Sequence, residues 1–297
     1  MNFDAGVTIA NSVISKVGTG GAVCIFASQQ THIVVDVNGE YPAGSSYVAT
    51  SPARVLETRT GASTADGLQQ GGGPVRASST TPVQIAGRAG IPARAAAIVL
   101  NVTVTEPAAA GYITVYPCGG DPPNASNLNY TAGLTIANMV IAKIGANGAV
   151  CVFAQSALHL VVDVGGYFAA DSIYTALAPQ RMLDSRPGQR TVDGSSSGVG
   201  SRPTGTITEL RIVNRAGVPA NATSVLLNVT VTGAGGAGYV TVYPCGIEPP
   251  LASNLNFIGG QTIANAVITK LGTGGNVCLF NSQPTDLIAD LGGYFVP

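Results

Sequence analysis

Apolar and polar residues alternate with a period of two along much of this chain. Leu134, Ile136, Asn138, Val140, Ala142 and Ile144 share one face of a run bounded by turn residues, and that period predicts a strand rather than a helix. Ala97–Thr105 (AIVLNVTVT) is rich in β-branched residues and predicts a strand in which Val99, Asn101, Val102 and Val104 are largely buried. Gly111–Tyr116 (GYITVY) follows after a turn at Glu106-Pro107. Shorter strands are expected near Ala149–Phe153 and His159–Val164, with a Gly-Ala-Asn-Gly turn at 145–148 leading into the first of them. Val55–Thr58 and Pro82–Ile85 complete the set. No amphipathic helix longer than a turn or two is expected. Residues 60–80 and 187–205 are loops rich in Gly, Ser and Thr, in which Asp66-Gly67 and Asp193-Gly194 hold the same place and predict an ordered turn.

The strand pattern recurs at an offset of 127 residues without insertion or deletion. Asn101-Val-Thr-Val-Thr105 returns as Asn228-Val-Thr-Val-Thr232, and Tyr116-Pro-Cys-Gly119 as Tyr243-Pro-Cys-Gly246. The same offset links Cys24, Cys151 and Cys278, and likewise Asp36, Asp163 and Asp290. An internal repeat decides the architecture before any single motif does. The expected division is residues 1–42 as the C-terminal third of a preceding repeat, then two full repeats at 43–169 and 170–297. Each full repeat carries about seven to nine strands with frequent turn signals, which predicts an all-β chain of tandem β-sandwich or jelly-roll-like units. Short linkers at Ala43–Ser46 and Ala169–Ser172 should hold the units close. Met1 opens inside a repeat, so the chain is expected to be a piece of a longer precursor or to begin at a misplaced start.

Charged residues make up only 10% of the chain and the net charge is −1. With no basic cluster, the electrostatic footprint of a nucleic-acid binder is missing. The apolar stretches are short and interrupted, far from the ~20 residues of a spanning helix, so no membrane insertion is expected.

Five cysteines fall on two repeat positions. The repeat frame predicts structural disulfides Cys118–Cys151 and Cys245–Cys278, with Cys24 unpaired, and hence an oxidising compartment. A permuted frame, Cys24–Cys118 and Cys151–Cys245 with Cys278 alone, respects the same repeat and stays open. No CxxC and no cluster of ligands suggests zinc.

Asp36, Asp163 and Asp290 interrupt apolar strands, while Arg54/Arg181, Glu57/Asp184 and Arg59/Arg186 recur in PARVLETR and PQRMLDSR. A carboxylate in such a strand needs a partner. The expectation is a structural Asp–Arg bridge from the last strand of a unit to its Arg-bearing strand. A calcium site is disfavoured because the acids are scattered. The two histidines, His32 and His159, share a position that is Asp286 in the third copy, so surface positions are expected rather than a catalytic base. Asn11, Asn138 and Asn265 should satisfy a bulge or neighbouring backbone with their amides. No G-x-S-x-G elbow or phosphate loop is present. No catalytic residue, metal or cofactor is expected.

Taken together, P-x-R-x-L-[DE]-[ST]-R, R-A-G-[IV]-P-A, L-N-V-T-V-T, G-Y-[IV]-T-V-Y-P-C-G, A-S-N-L-N-[FY], T-I-A-N-x-V-I and D-[VL]-G-G-Y-F resemble a tandem repeat of secreted actinobacterial proteins. The resemblance covers both full repeats and the leading fragment, where Glu40-Tyr41 departs from the Tyr-Phe of the other copies. It implies an extracellular or cell-wall setting with stalk, adhesion or targeting duty, and no catalytic residue. The expected function is a non-enzymatic structural or adhesive module on the cell surface or in a fibre. The alternative is a carbohydrate-binding module that delivers an attached enzyme to a polymer, although the chain has no Trp. Expected partners are a cell-surface glycan or the chain itself, as a fibre or a strand-complemented oligomer. Residues 1–42 are expected to present strand edges and to dock on the first full unit.

Overall fold

The computed structural model describes residues 1–42 and 46–297, so the linker expected at Ala43–Ser46 lies almost wholly outside the described residues. The described chain is nearly all β. The first eight strands are β1 (Tyr47–Glu57), β2 (Ser79–Gln84), β3 (Ala95–Thr105), β4 (Gly111–Pro117), β5 (Leu128–Tyr130), β6 (Ile136–Lys143), β7 (Ala149–Ala154) and β8 (His159–Ala169). The next eight are β9 (Tyr174–Asp184), β10 (Thr206–Arg211), β11 (Ser224–Thr232), β12 (Gly238–Pro244), β13 (Leu255–Phe257), β14 (Ile263–Lys270), β15 (Asn276–Asn281) and β16 (Asp286–Phe295).

These strands make four antiparallel sheets. Their orders are β1-β8-β3-β6 and β2-β7-β4-β5, then β9-β16-β11-β14 and β10-β15-β12-β13. The second set reproduces the first, and each pair of sheets has the strand order of a jelly roll. The period-two pattern explains the packing. Ile98, Leu100, Val102 and Val104 of β3, with Val140 and Ala142 of β6, meet Ile113 and Val115 of β4 and Val150 and Val152 of β7 in the interior. Each Val, Leu or Ile among them, fully buried, stabilises the fold by about 1.5–3 kcal/mol. Pro52 and Pro179, in the shared P-x-R motif, fall where the register of edge strands β1 and β9 slips against β8 and β16. Proline lacks a ladder donor and is tolerated there.

The first sheet of each set is buried on both faces. Ala97, Val99, Met139, Ile141 and Phe168 point away from the first sandwich and form a second core with Tyr174, Leu226, Ala266 and Phe295 of the second. Ile14 and Tyr41 from the leading segment pack against this core. Tyr41, Phe168 and Phe295 hold one repeat position, and their ring centroids lie 5.7, 6.2 and 6.2 Å apart. An open head-to-tail array would set the first and third rings about twice as far apart as neighbours. Near-equal separations, together with the Asn11–Met139 and Asn138–Ala266 contacts that recur from one unit to the next, fit a pseudo-threefold arrangement about the cluster. Leading segment, first sandwich and second sandwich are thus arranged around one axis.

Residues 1–42 differ from the expectation of strand edges. The segment contains a 3-10 turn at Thr19–Gly21 and no assigned strand. Strands need hydrogen-bonded neighbours, and nothing among the described residues pairs with its backbone as β3 does with β6 and β8. It also docks more widely than on the first unit alone, since Ser12 Oγ donates to the Ala266 carbonyl of the second.

Candidate functional site

The recurring polar residues converge at two places, an ion-paired seam inside each sandwich and a joint between sandwiches. In the first sandwich, β1 lies beside β8 with Arg54 opposite Asp163. Arg54 Nε donates to Asp163 Oδ1 at 2.8 Å and Nη1 to Glu57 Oε2 at 2.9 Å. In the second, Arg181 Nε donates to Asp290 Oδ1 at 2.9 Å and Nη1 to Asp184 Oδ2 at 2.9 Å. Arg59 and Arg186 do not reach the strand aspartates; they clamp Glu57 and Asp184, at 2.8 and 2.7 Å. The Arg59 guanidinium, followed by the Arg59 backbone N–H and Arg54, holds the buried Glu57 carboxyl below its ordinary range. Asp36 is exposed and makes no hydrogen bond or ion pair among the described residues.

The two equivalent seams differ in burial. Asp163 and Arg54 side chains are 28% and 35% exposed, whereas Asp290 and Arg181 are 2% and 7% exposed. The cause is the neighbouring unit. The Ala-Ser-Asn segment before β5 is pinned beside β4, where Thr114 Oγ1 donates to the Ala125 carbonyl and Val115 N donates to Asn127 Oδ1. It projects Ser126 N onto Asp290 Oδ2 at 3.1 Å. Burial pushes the Asp290 carboxyl up from its ordinary value, against the pull of the Arg181 guanidinium and the Ser126 N–H.

The joint itself is built from asparagines. Asn138 Nδ2 donates to the Asn127 carbonyl of its own unit at 2.6 Å and to Asn228 Oδ1 of the next at 3.0 Å. Its Oδ1 accepts from Ala266 N at 3.2 Å, and Asn228 Nδ2 donates to the Ser126 carbonyl at 2.5 Å. Asn11 repeats the pattern one unit earlier: its Oδ1 accepts from Met139 N at 3.1 Å and its Nδ2 faces Asn101 Oδ1 at 3.5 Å. The Asn11 and Asn138 amides therefore do more than satisfy local backbone. They bond one repeat to the next.

Cys118–Cys151 and Cys245–Cys278 are disulfide-bonded, while Cys24 is free and exposed. Each bridge ties the end of β4 or β12 to β7 or β15, where Tyr116 lies opposite Cys151 and Tyr243 opposite Cys278. Thr58 Oγ1 accepts from Leu160 N and lies 2.9 Å from His159 Nδ1. In the other copy, Ser185 Oγ accepts from Leu287 N and donates to Asp286 at 2.6 Å. The Thr58–His159 contact thus occupies the place of the Ser185–Asp286 hydrogen bond in the other copy. His32 is exposed.

One recurring pair was not anticipated as a contact. Arg88 and Arg215 of the R-A-G motif grip Asp66 and Asp193 with two bonds each, at 2.7–2.8 Å. These bonds anchor the long loops. The Arg88 side chain holds the Asp66 carboxyl far below its usual range, and Arg215 lowers Asp193 to about 2. Both residues recur at the 127 offset, and that recurrence was the available signal.

Among the described residues, no group of three or more His, Cys, Asp or Glu could hold a metal, and no helix is long and apolar enough to cross a membrane. Two disulfides point to an oxidising environment during folding. No known family's sequence profile matches the chain, and no curated protein is similar to it. The crystal structure of the coconut allergen cocosin aligns over 74% of this chain and 83% of its own, at 8% identity and a TM-score of 0.18.

Proposed function

We propose that the chain is a non-enzymatic extracellular module with a structural or adhesive role, held at a cell surface as part of a stalk or similar assembly. The observation that carries this reading is the Asn138–Asn228–Asp290 joint. Here recurring polar side chains bond unit to unit instead of facing a cleft. Two sandwiches fixed by buried hydrogen bonds and a shared apolar core transmit force as one body. Disulfides close loops between strands in each unit and suit an exposed, oxidising setting. The motifs shared with secreted actinobacterial repeats support the same setting.

A specific feature favours the alternative of carbohydrate binding. Tyr112 pairs with Phe153 and Tyr239 with Phe280, at centroid separations of 6.0 and 5.9 Å. These rings sit on the outer sheets, partly open to solvent, and amphipathic rings of this kind can stack on sugars. A glycan array probed with the intact chain separates the two. The structural reading expects no saturable binding. Saturable binding to one sugar, lost on Tyr112→Ala with Tyr239→Ala, replaces it with the alternative.

A further inference from the structure

Three repeat-equivalent places surround the axis, and among the described residues two hold complete sandwiches. The third holds only residues 1–42. Those residues are the equivalents of β5 to β8 of the first sandwich and keep three of that unit's contacts: Asn11 at the joint, and Ile14 and Tyr41 at the axis. The rest of the segment has no sheet to lie on. Val13 is 75% exposed, while its equivalents Val140 and Val267 are 3% and 1% exposed. Val37 is 85% exposed against 1% for Val164 and 0% for Leu291. A row of such side chains on unpaired backbone is an acceptor for strands.

We propose that this third place is a docking site for a polypeptide carrying the first four strands of the same repeat, the part equivalent to residues 43–127. Residues 1–42 would supply the last four strands, the equivalents of β5 to β8, and complete a third sandwich around the axis.

Unpaired polar groups specify that partner. Asp36 lacks the arginine that Asp163 and Asp290 receive from β1 and β9; the incoming first strand would bring one at the Arg54 position. Asp163 lacks the backbone N–H that Ser126 gives to Asp290; the incoming Ala-Ser-Asn segment would supply it and cover the half-exposed seam. Asn265 Oδ1 is buried without a partner, whereas Asn11 and Asn138 accept from Met139 and Ala266. By the same symmetry its donor is Ser12 N, once residues 9–16 are fixed as a strand. Cys24 would face an incoming cysteine at the Cys118 position, 33 residues ahead in the repeat as in the two formed bridges. The leading segment of a second copy cannot fill the gap, because it offers the same last four strands.

The test places a duplicate of residues 43–127 directly ahead of Met1 and maps disulfides under non-reducing conditions. The expected result is a third bridge from the added cysteine to Cys24, with both native bridges kept and residues 1–42 protected from protease. Free alkylation of Cys24 while Cys118–Cys151 and Cys245–Cys278 remain intact would overturn the proposal. If the extended chain fails to fold, the polypeptide 43–127 is titrated onto the intact original chain. A 1:1 complex that shields Cys24 supports the proposal. No complex, or an original chain that already dimerises with Cys24 shielded, overturns it.

Discussion

Asn138 Nδ2 lies 3.0 Å from Asn228 Oδ1, bonding equivalent sheets of successive repeats through a seam of apolar side chains. The same Asn138 amide serves the Asn127 carbonyl and Ala266 N, so one side chain satisfies groups in both units. Asn138→Ala leaves several buried groups without partners, at roughly 1–3 kcal/mol each. The expected outcome is a loss of at least ~2 kcal/mol in urea unfolding, from the same penalty. Asn265→Ala, whose Oδ1 bonds nothing, should cost less.

Asp290→Ala removes one of the two carboxylates that pair the buried Arg181 guanidinium, leaving its Nε and Nη2 unpaired and Asp184 as its remaining partner, and should cost about 3 kcal/mol. Asp163→Ala removes the equivalent residue from a seam roughly one-third open to water and should cost less than half as much. Equilibrium unfolding of the two variants side by side checks this. Equal losses would mean that the neighbouring unit does not bury the second seam.

Asp193 has a pKa of about 2 because Arg215 stabilises its ionised form. An unfolded aspartate titrates near 3.9. The folded state therefore holds the anion more tightly, and the stability this confers is complete above about pH 4. It is lost as pH falls toward 2. Asp66 behaves alike through Arg88. Asp193→Asn removes that titration, so the fall in thermal midpoint between pH 4 and pH 2 should be shallower than in the parent. A parallel fall would contradict the assignment.

Removing one bridge by Cys118→Ser with Cys151→Ser should cost about 3 kcal/mol by opening a loop of this size in the unfolded chain. Cys24→Ser should leave the thermal midpoint unchanged, because that thiol is free and exposed.

Much of the β content was legible in the sequence. Period-two runs marked β3, β4, β6, β7 and β8, and the constant offset made the cysteines and the Arg54 and Asp163 positions visible as recurring sets. β5 (Leu128–Tyr130) escaped notice because three residues are too few to display a period. The axis was not legible either. A sequence shows that both faces of a strand are apolar without showing what the second face meets, and Met139, Ile141 and Phe168 lie on that second face. For the same reason Asn138 looked like a local backbone partner. Residues 1–42 carry the strand pattern of their equivalents, but pattern alone does not form strands when the neighbouring strands are not supplied.

The most direct test of the account is scanning calorimetry of the intact chain, because its central claim is that the two sandwiches act as one body. One transition, with matching calorimetric and van't Hoff enthalpies, is predicted, splitting into two in the Asn138→Ala, Asn228→Ala double variant. Two independent transitions in the parent chain would contradict it.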